Sequence, residues 1–173
     1  GVSAAAVLLL GNPSIIAKHL PQHEVSFMKF KSATKIEKRH DLRGSIISIT
    51  QSLEQIFRAN LRIELVGQEG FSERTVPDLT WWVAREAALN AMIHRDYFPR
   101  QGIQIELHQD KLVGVSPGGF IGGVTPTNIL RHAPVRRNTL LANSLQTAGW
   151  VNRAGLGVDR IFEELLRLGK GLH

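Results

Sequence analysis

The hydrophobic positions along the chain change their period several times, and each change predicts an element. The opening run GVSAAAVLLLG is apolar almost without interruption and reads as a buried strand. A turn at Asn12-Pro13, a short segment ending at Pro21 and the alternating EVSFMKF follow, the last predicting a second strand. The polar stretch KSATKIEKRH reads as a separator. From Asp41 as N-cap, the positions Leu42, Ile46, Ile49, Leu53, Ile56 and Phe57 keep the three-to-four spacing of an amphipathic helix. LRIELVG alternates like a strand, GFSERTV is its hairpin partner, and Pro77-Asp78 opens the helix of residues 82 to 97. Two more strands, Ile103 to His108 and Lys111 to Val115, turn through Gln109-Asp110 and stop at the Pro-Gly-Gly of 117 to 119. Thr125-Pro126 starts a short helix, RNTLLANSLQTAGW is helical up to about Ala148, and GLGVDRIFEELLRLG opens a last one.

Helices flanking antiparallel strand pairs, without regular alternation of strand and helix, predict an α+β fold: a two-layer sandwich of a mixed, largely antiparallel sheet with helices on one face. A chain of 173 residues is one ordinary domain, or one domain with a fragment of another, and buries about two-thirds of its unfolded surface. It has no cysteine, which excludes disulfides and thiolate metal sites and points to an intracellular, cytoplasmic setting. The first run is too short to span a bilayer and lacks the basic flank of a signal peptide, so no membrane partner is expected. Both ends look cut, since the chain starts inside an apolar run and stops as a helix finishes. The formal charge of +6 gathers in KFKSATKIEKRHDLR and RHAPVRRN, and the first of these reads either as a solvated linker or as a nucleic-acid contact.

The helix WVAREAALNAMIHRDY carries the candidate chemistry. Glu86, Asn90 and His94 are spaced four apart and share one face of it. Such a stripe ordinarily meets water, but the rest of the circumference is apolar, so a ligand or polar cavity explains the acid and the amide better. Two glycine segments add to it. SPGGF follows a strand directly, and Gly155 and Gly157 stand just before a helix, where backbone amides can approach an anion.

REAALNAMIHRDY followed by SPGGF and RAGLGVDRI resembles the N, G1 and G2 boxes of the GHKL (Bergerat-fold) nucleotide-binding superfamily. With RRNTLLANSLQTAGW included, it is most similar to a branch of ATP-binding transcriptional regulators labelled as related to the C-terminal part of the helicase RecG. The resemblance covers about residues 41 to 170. Residues 1 to 30 resemble the tail of a Schlafen-type AlbA domain, so the expected division is a remnant plus linker over 1–36 and a nucleotide-binding domain over 37–173. The resemblance implies ATP and Mg²⁺ as cofactors, Glu86 as the base that activates water, Asn90 as the magnesium ligand, and phosphate contacts from His94, Arg95 and the Gly155 and Gly157 amides. It implies a base-side role for Ser116, Gly118 and Gly119, and a phosphate or structural role for the pair Arg137 and Asn138. DNA would be met through domains outside this chain, and a homodimer is compatible with the family.

One departure bears on specificity. The superfamily begins its G1 motif with an aspartate that accepts from the adenine amino group, and this chain has Ser116 there. Nucleotide binding and weak ATPase activity are thus expectations from the family, set against a scaffold that keeps the fold for dimerisation or DNA contact. A helicase motor is not expected, because the chain has no Gly-Lys-Ser/Thr phosphate loop.

Overall fold

The computed structural model describes residues 3–61, the backbone of 63–69 and 72–77, then 80–109, 111–128, 131–133, 135–151, 161 and 163–166. The first apolar run is a helix, α1 (Ala4–Leu10), and not the expected strand. A continuous apolar run has no period to separate the two. The decision falls to Ser3, whose hydroxyl accepts from the Ala6 N–H at 3.2 Å, and to the helix preference of alanine and leucine. Helix α2 (Pro13–His19) follows the same logic, with Asn12 accepting from the Ile15 N–H at 2.9 Å and Pro13 in the first turn.

Strand β1 (Val25–Phe30) pairs antiparallel with β2 (Ile36–Leu42), so the polar stretch expected as a linker is an edge strand. Its residues Ile36 to Asp41 are all exposed, which is why no alternation marks it. Lys29 pairs with Glu37 at 3.3 Å and Arg39 with Asp41 at 3.0 Å, as befits an edge kept charged against further pairing. Because Asp41 belongs to β2, helix α3 (Ile46–Asn60) starts later than expected, capped by Ser45, which accepts from the Ser48 N–H at 3.2 Å. Strands β3 (Ile63–Glu69) and β4 (Ser72–Pro77) form the expected antiparallel hairpin, separate from the main sheet. Pro77 closes β4, and α4 (Trp81–His94) begins after Thr80. Strands β5 (Ile103–Leu107) and β6 (Leu112–Val115) and helix α5 (Thr139–Thr147) stand where their patterns put them, with Gly149 at φ +74° just past the last helix.

The helix expected at Thr125 is replaced by turns among the described residues. The Asn128 side chain accepts from the Thr125 N–H at 2.7 Å and donates to the Gly123 carbonyl at 2.9 Å, a local alternative to helical bonding. Of the last expected helix, residues 161 and 163–166 are described and are helical.

The main sheet runs β2-β1-β5-β6, with β1 parallel to β5 and the outer pairs antiparallel. The fold is α+β with a mixed four-stranded sheet and helices packed on it, as the pattern predicts. Val25 and Phe27 sit in register with Ile103 and Ile105 and join Leu53, Phe57, Leu89 and Met92 in one core. Phe57 meets Phe27 edge to face at 5.3 Å, which places α3 on the centre of the sheet. Since β1 lies between β2 and β5, and Ala5 and Leu8 of α1 enter the same core, the division expected near residue 36 crosses the β1–β2 hairpin. Among the described residues no helix is long and apolar enough to cross a membrane.

Candidate functional site

Helix α4 packs on α3 and on the β5–β6 pair, with Val83, Ala84, Glu86, Ala88, Leu89, Met92 and Ile93 buried around most of its circumference. The stripe of Glu86, Asn90 and His94 therefore runs from the interior to the surface. Glu86 is 3 % exposed, Asn90 is half-buried and His94 is exposed. A carboxylate so deep on an apolar helix is a costly placement that needs polar company. The Asn90 amide, one turn nearer the surface, makes no side-chain hydrogen bond among the described residues and is a hard oxygen ligand for a hard cation. No group of three or more acidic or histidine side chains is placed to hold a metal ion among the described residues. A magnesium ion here would consequently need oxygens from a ligand to complete its shell.

The C-terminal end of α4 is held by side chains from three other parts of the chain. The last four carbonyls of a helix have no intrahelical partner. Here the Ser116 hydroxyl donates to the Ala91 carbonyl at 2.8 Å, the Tyr97 hydroxyl to the Met92 carbonyl at 3.0 Å, and the Asn138 amide to the Ile93 and Arg95 carbonyls at 2.7 and 2.8 Å. Asn138 also stands at the N-cap position of α5 but makes no side-chain capping bond there, and its amide nitrogen serves α4 instead. Asn138→Ala should lower stability by about 2 kcal/mol, two backbone carbonyls losing their donor together. In a thermal melt this is a drop of roughly 4–8 °C; an unshifted melting temperature would remove the junction role.

The Ser116-Pro117-Gly118-Gly119 turn is attached to that end. The Asp96 N–H donates to the Pro117 carbonyl at 2.7 Å, and Arg137 donates to the Gly119 carbonyl at 2.7 Å while its guanidinium lies 3.7 Å from the Asp96 carboxylate. Gly118 has φ +108°, and a Cβ there would lie 3.0 Å from the Cβ of Asp96. Only glycine fits so close an approach in that conformation. Gly119 faces open space. Nearer the start of α4, Arg85 donates to the Trp150 carbonyl at 2.7 Å and lies over the Trp150 ring at 5.6 Å. Trp150 and Val151, immediately ahead of the second glycine segment, thus pack against the core beside α4. Gly155 and Gly157 lie outside the described residues.

Arg95 is placed differently from the expectation of a phosphate contact. It is fully buried, donates to the Gln22 and Gln101 carbonyls and stacks on Tyr97 at 5.0 Å, so its guanidinium ties α2 and the approach to β5 to the end of α4. Beside it His23 is buried, and burial first, the Arg95 charge second, push its imidazole down to about 4 against a smaller opposing effect of the Gly44 backbone. Burial likewise pushes the Tyr97 phenol up. At the surface, His94 is lowered by desolvation and then by Arg136 and Arg137. Asp96, Tyr97 and Arg136 are the site residues that sequence reasoning left unassigned. They stand inside the quoted motifs, yet their partners lie up to tens of residues away.

Residues 101–171 match a family described as "Putative ATP-dependent DNA helicase recG C-terminal". The match takes in β5, β6, the glycine turn, α5 and both glycine positions that lie outside the described residues, while Glu86 and Asn90 precede it. Among solved structures, that of the DIP2311 protein from Corynebacterium diphtheriae superposes with a TM-score of 0.82 at 28% identity, over 98% of this chain and 34% of that one. The chain spans about a third of that protein's length. No curated protein matches the sequence. From residue 101 onward the chain is similar to the RecG C-terminal family, and over nearly all its length it shares the fold of the corynebacterial protein.

Proposed function

We propose that the chain is a nucleotide-responsive regulatory module that takes a magnesium–adenine nucleotide between α4 and the glycine segments. The observation that carries this reading is the stripe on α4: a buried acid, a half-buried amide and an exposed imidazole in line, with the Pro-Gly-Gly turn hydrogen-bonded to the end of the same helix. Asn90 would hold the ion, which supplies neutralisation of phosphate charge when bound. Glu86 would hold and deprotonate a water, and the Gly118, Gly119, Gly155 and Gly157 amides would approach the ligand without Cβ hindrance. Transcription regulation would follow from a ligand-dependent change around the glycine segments, passed to DNA-contacting parts outside this chain in the cytoplasm.

Titration of the protein with Mg-ATP, followed by the amide signals of Asn90, Gly118, Gly155 and Gly157, should give saturable shifts. No shift up to millimolar nucleotide would sink the proposal. A second reading, a ligand-free scaffold for dimerisation or DNA contact, is favoured by one observation: Ser116 and Asn138 already give their donors to α4. It predicts a flat titration together with self-association or salt-sensitive DNA binding of this chain alone.

A further inference from the structure

Three cationic or titratable side chains converge where α4 ends. Asn138 is pinned under the Ile93 and Arg95 carbonyls, which brings the chain that carries Arg136 and Arg137 to the end of the helix whose last residue is His94, and the charges of both arginines act on the His94 imidazole. Arg136 donates to the amide oxygens of Asn143 at 2.7 Å and Gln146 at 3.2 Å on α5. Both partners are neutral, so the guanidinium is oriented but keeps its whole charge. Arg137 donates to the Gly119 carbonyl, and its acidic neighbour Asp96 stands at 3.7 Å, near the limit of an ion pair. Among the described residues the carboxylate of this cluster is that of Asp96, and it reaches Arg137.

Cations often collect at a helix C-terminus simply to meet its exposed carbonyls. That explanation is weak here, since Ser116, Tyr97 and Asn138 already satisfy the Ala91, Met92 and Ile93 carbonyls. Holding like charges together without that return leaves a site for an anion with several oxygens, which a planar guanidinium fits in bidentate fashion.

We infer that His94, Arg136 and Arg137 form a polyphosphate-binding lip, with Arg136 as the residue that grips the anion. The inference rests on the nucleotide reading only for the identity of the natural ligand, the polyphosphate chain of a nucleotide lying along the stripe from Asn90 to His94. The lip itself requires no base. His94 reports on it directly: an anion bound between the guanidinium groups screens their charge, and the imidazole regains affinity for a proton.

Calorimetry with inorganic tripolyphosphate and, separately, with Mg-ATP tests the lip on the intact chain, alongside NMR titration of the His94 imidazole. Tripolyphosphate should bind, raise the His94 pKa and lose about tenfold in affinity in Arg136→Gln, with Arg136→Lys between the two. Equal tripolyphosphate affinity in the wild type and Arg136→Gln, at matched melting temperatures, overturns the assignment, as does the absence of any binding. Mg-ATP binding that leaves His94 and the Arg136→Gln affinity unmoved overturns the lip and keeps the nucleotide reading. Tripolyphosphate binding as tight as that of Mg-ATP keeps the lip and removes the nucleotide.

Discussion

Asn90→Ala is expected to weaken Mg-nucleotide binding about 100-fold, close to 3 kcal/mol, while Glu86→Gln keeps the affinity within about threefold and cuts any turnover by roughly a thousandfold. The two residues are a single turn apart, so a general disturbance of α4 would affect both variants alike. The split arises from chemistry. An amide oxygen that holds an ion contributes equally to the bound ground state and to the transition state, so its loss appears as affinity. A carboxylate that takes a proton from water acts only when water attacks, so replacing it by an amide of the same shape leaves binding intact. Calorimetry with Mg-ATP and a phosphate-release assay on both variants measure the two effects separately. Equal, modest destabilisation of both, with no change in either measurement, would transfer the pair to a purely structural role.

Folding stability should fall by about 3 kcal/mol between pH 6.5 and pH 4, and His23→Leu should remove most of that slope. His23 is 1 % exposed, with Arg95 beside it and the Tyr97 ring centroid 5.8 Å away. In the folded chain its imidazole stays neutral down to about 4, whereas the unfolded chain takes up the proton near the ordinary 6.5. Above 6.5 both states are neutral and nothing is lost. Through the window the unfolded state binds more protons and gains ground, and below about 4 the loss is complete. His94 is displaced in the same direction and adds a lesser slope in both proteins, so the difference between wild type and His23→Leu isolates the buried group. Urea unfolding at pH 7.5, 6, 5 and 4 provides the measurement. A wild-type slope that persists in His23→Leu would show that His23 ionises freely in the fold.

Wherever the hydrophobic period was sustained, the fold was legible. The spacing through Ile46, Ile49, Leu53 and Phe57 placed α3, and the alternating EVSFMKF placed β1. Where the period was missing, the reading erred. The run at residues 4–10 could serve as strand or helix until Ser3 capped it. The polar β2 had no buried face to advertise, and Asp41, a good helix cap by type, was taken up by β2 and by the Ser26 hydroxyl at 2.6 Å. Of the candidate site, the helical stripe and the glycine turn were readable because each is local. The partners of Ser116, Asn138 and Arg95 were not, since each serves a carbonyl on a distant segment.

By itself the sequence determined that Glu86, Asn90 and His94 share one face of α4, because the pitch of a helix is set by the backbone and not by its surroundings. It also determined that the turn after β6 is able to approach another element closely, since Gly118 has no Cβ. Tertiary structure alone decided which end of α4 that turn meets, that Asn138 closes the same helix from across 43 residues or more, and that Arg95 goes inward while the charges of Arg136 and Arg137 act on His94. The reason is that an unpaired carbonyl or guanidinium carries no mark of its partner until packing has removed water from both, and that packing is a property of the whole core.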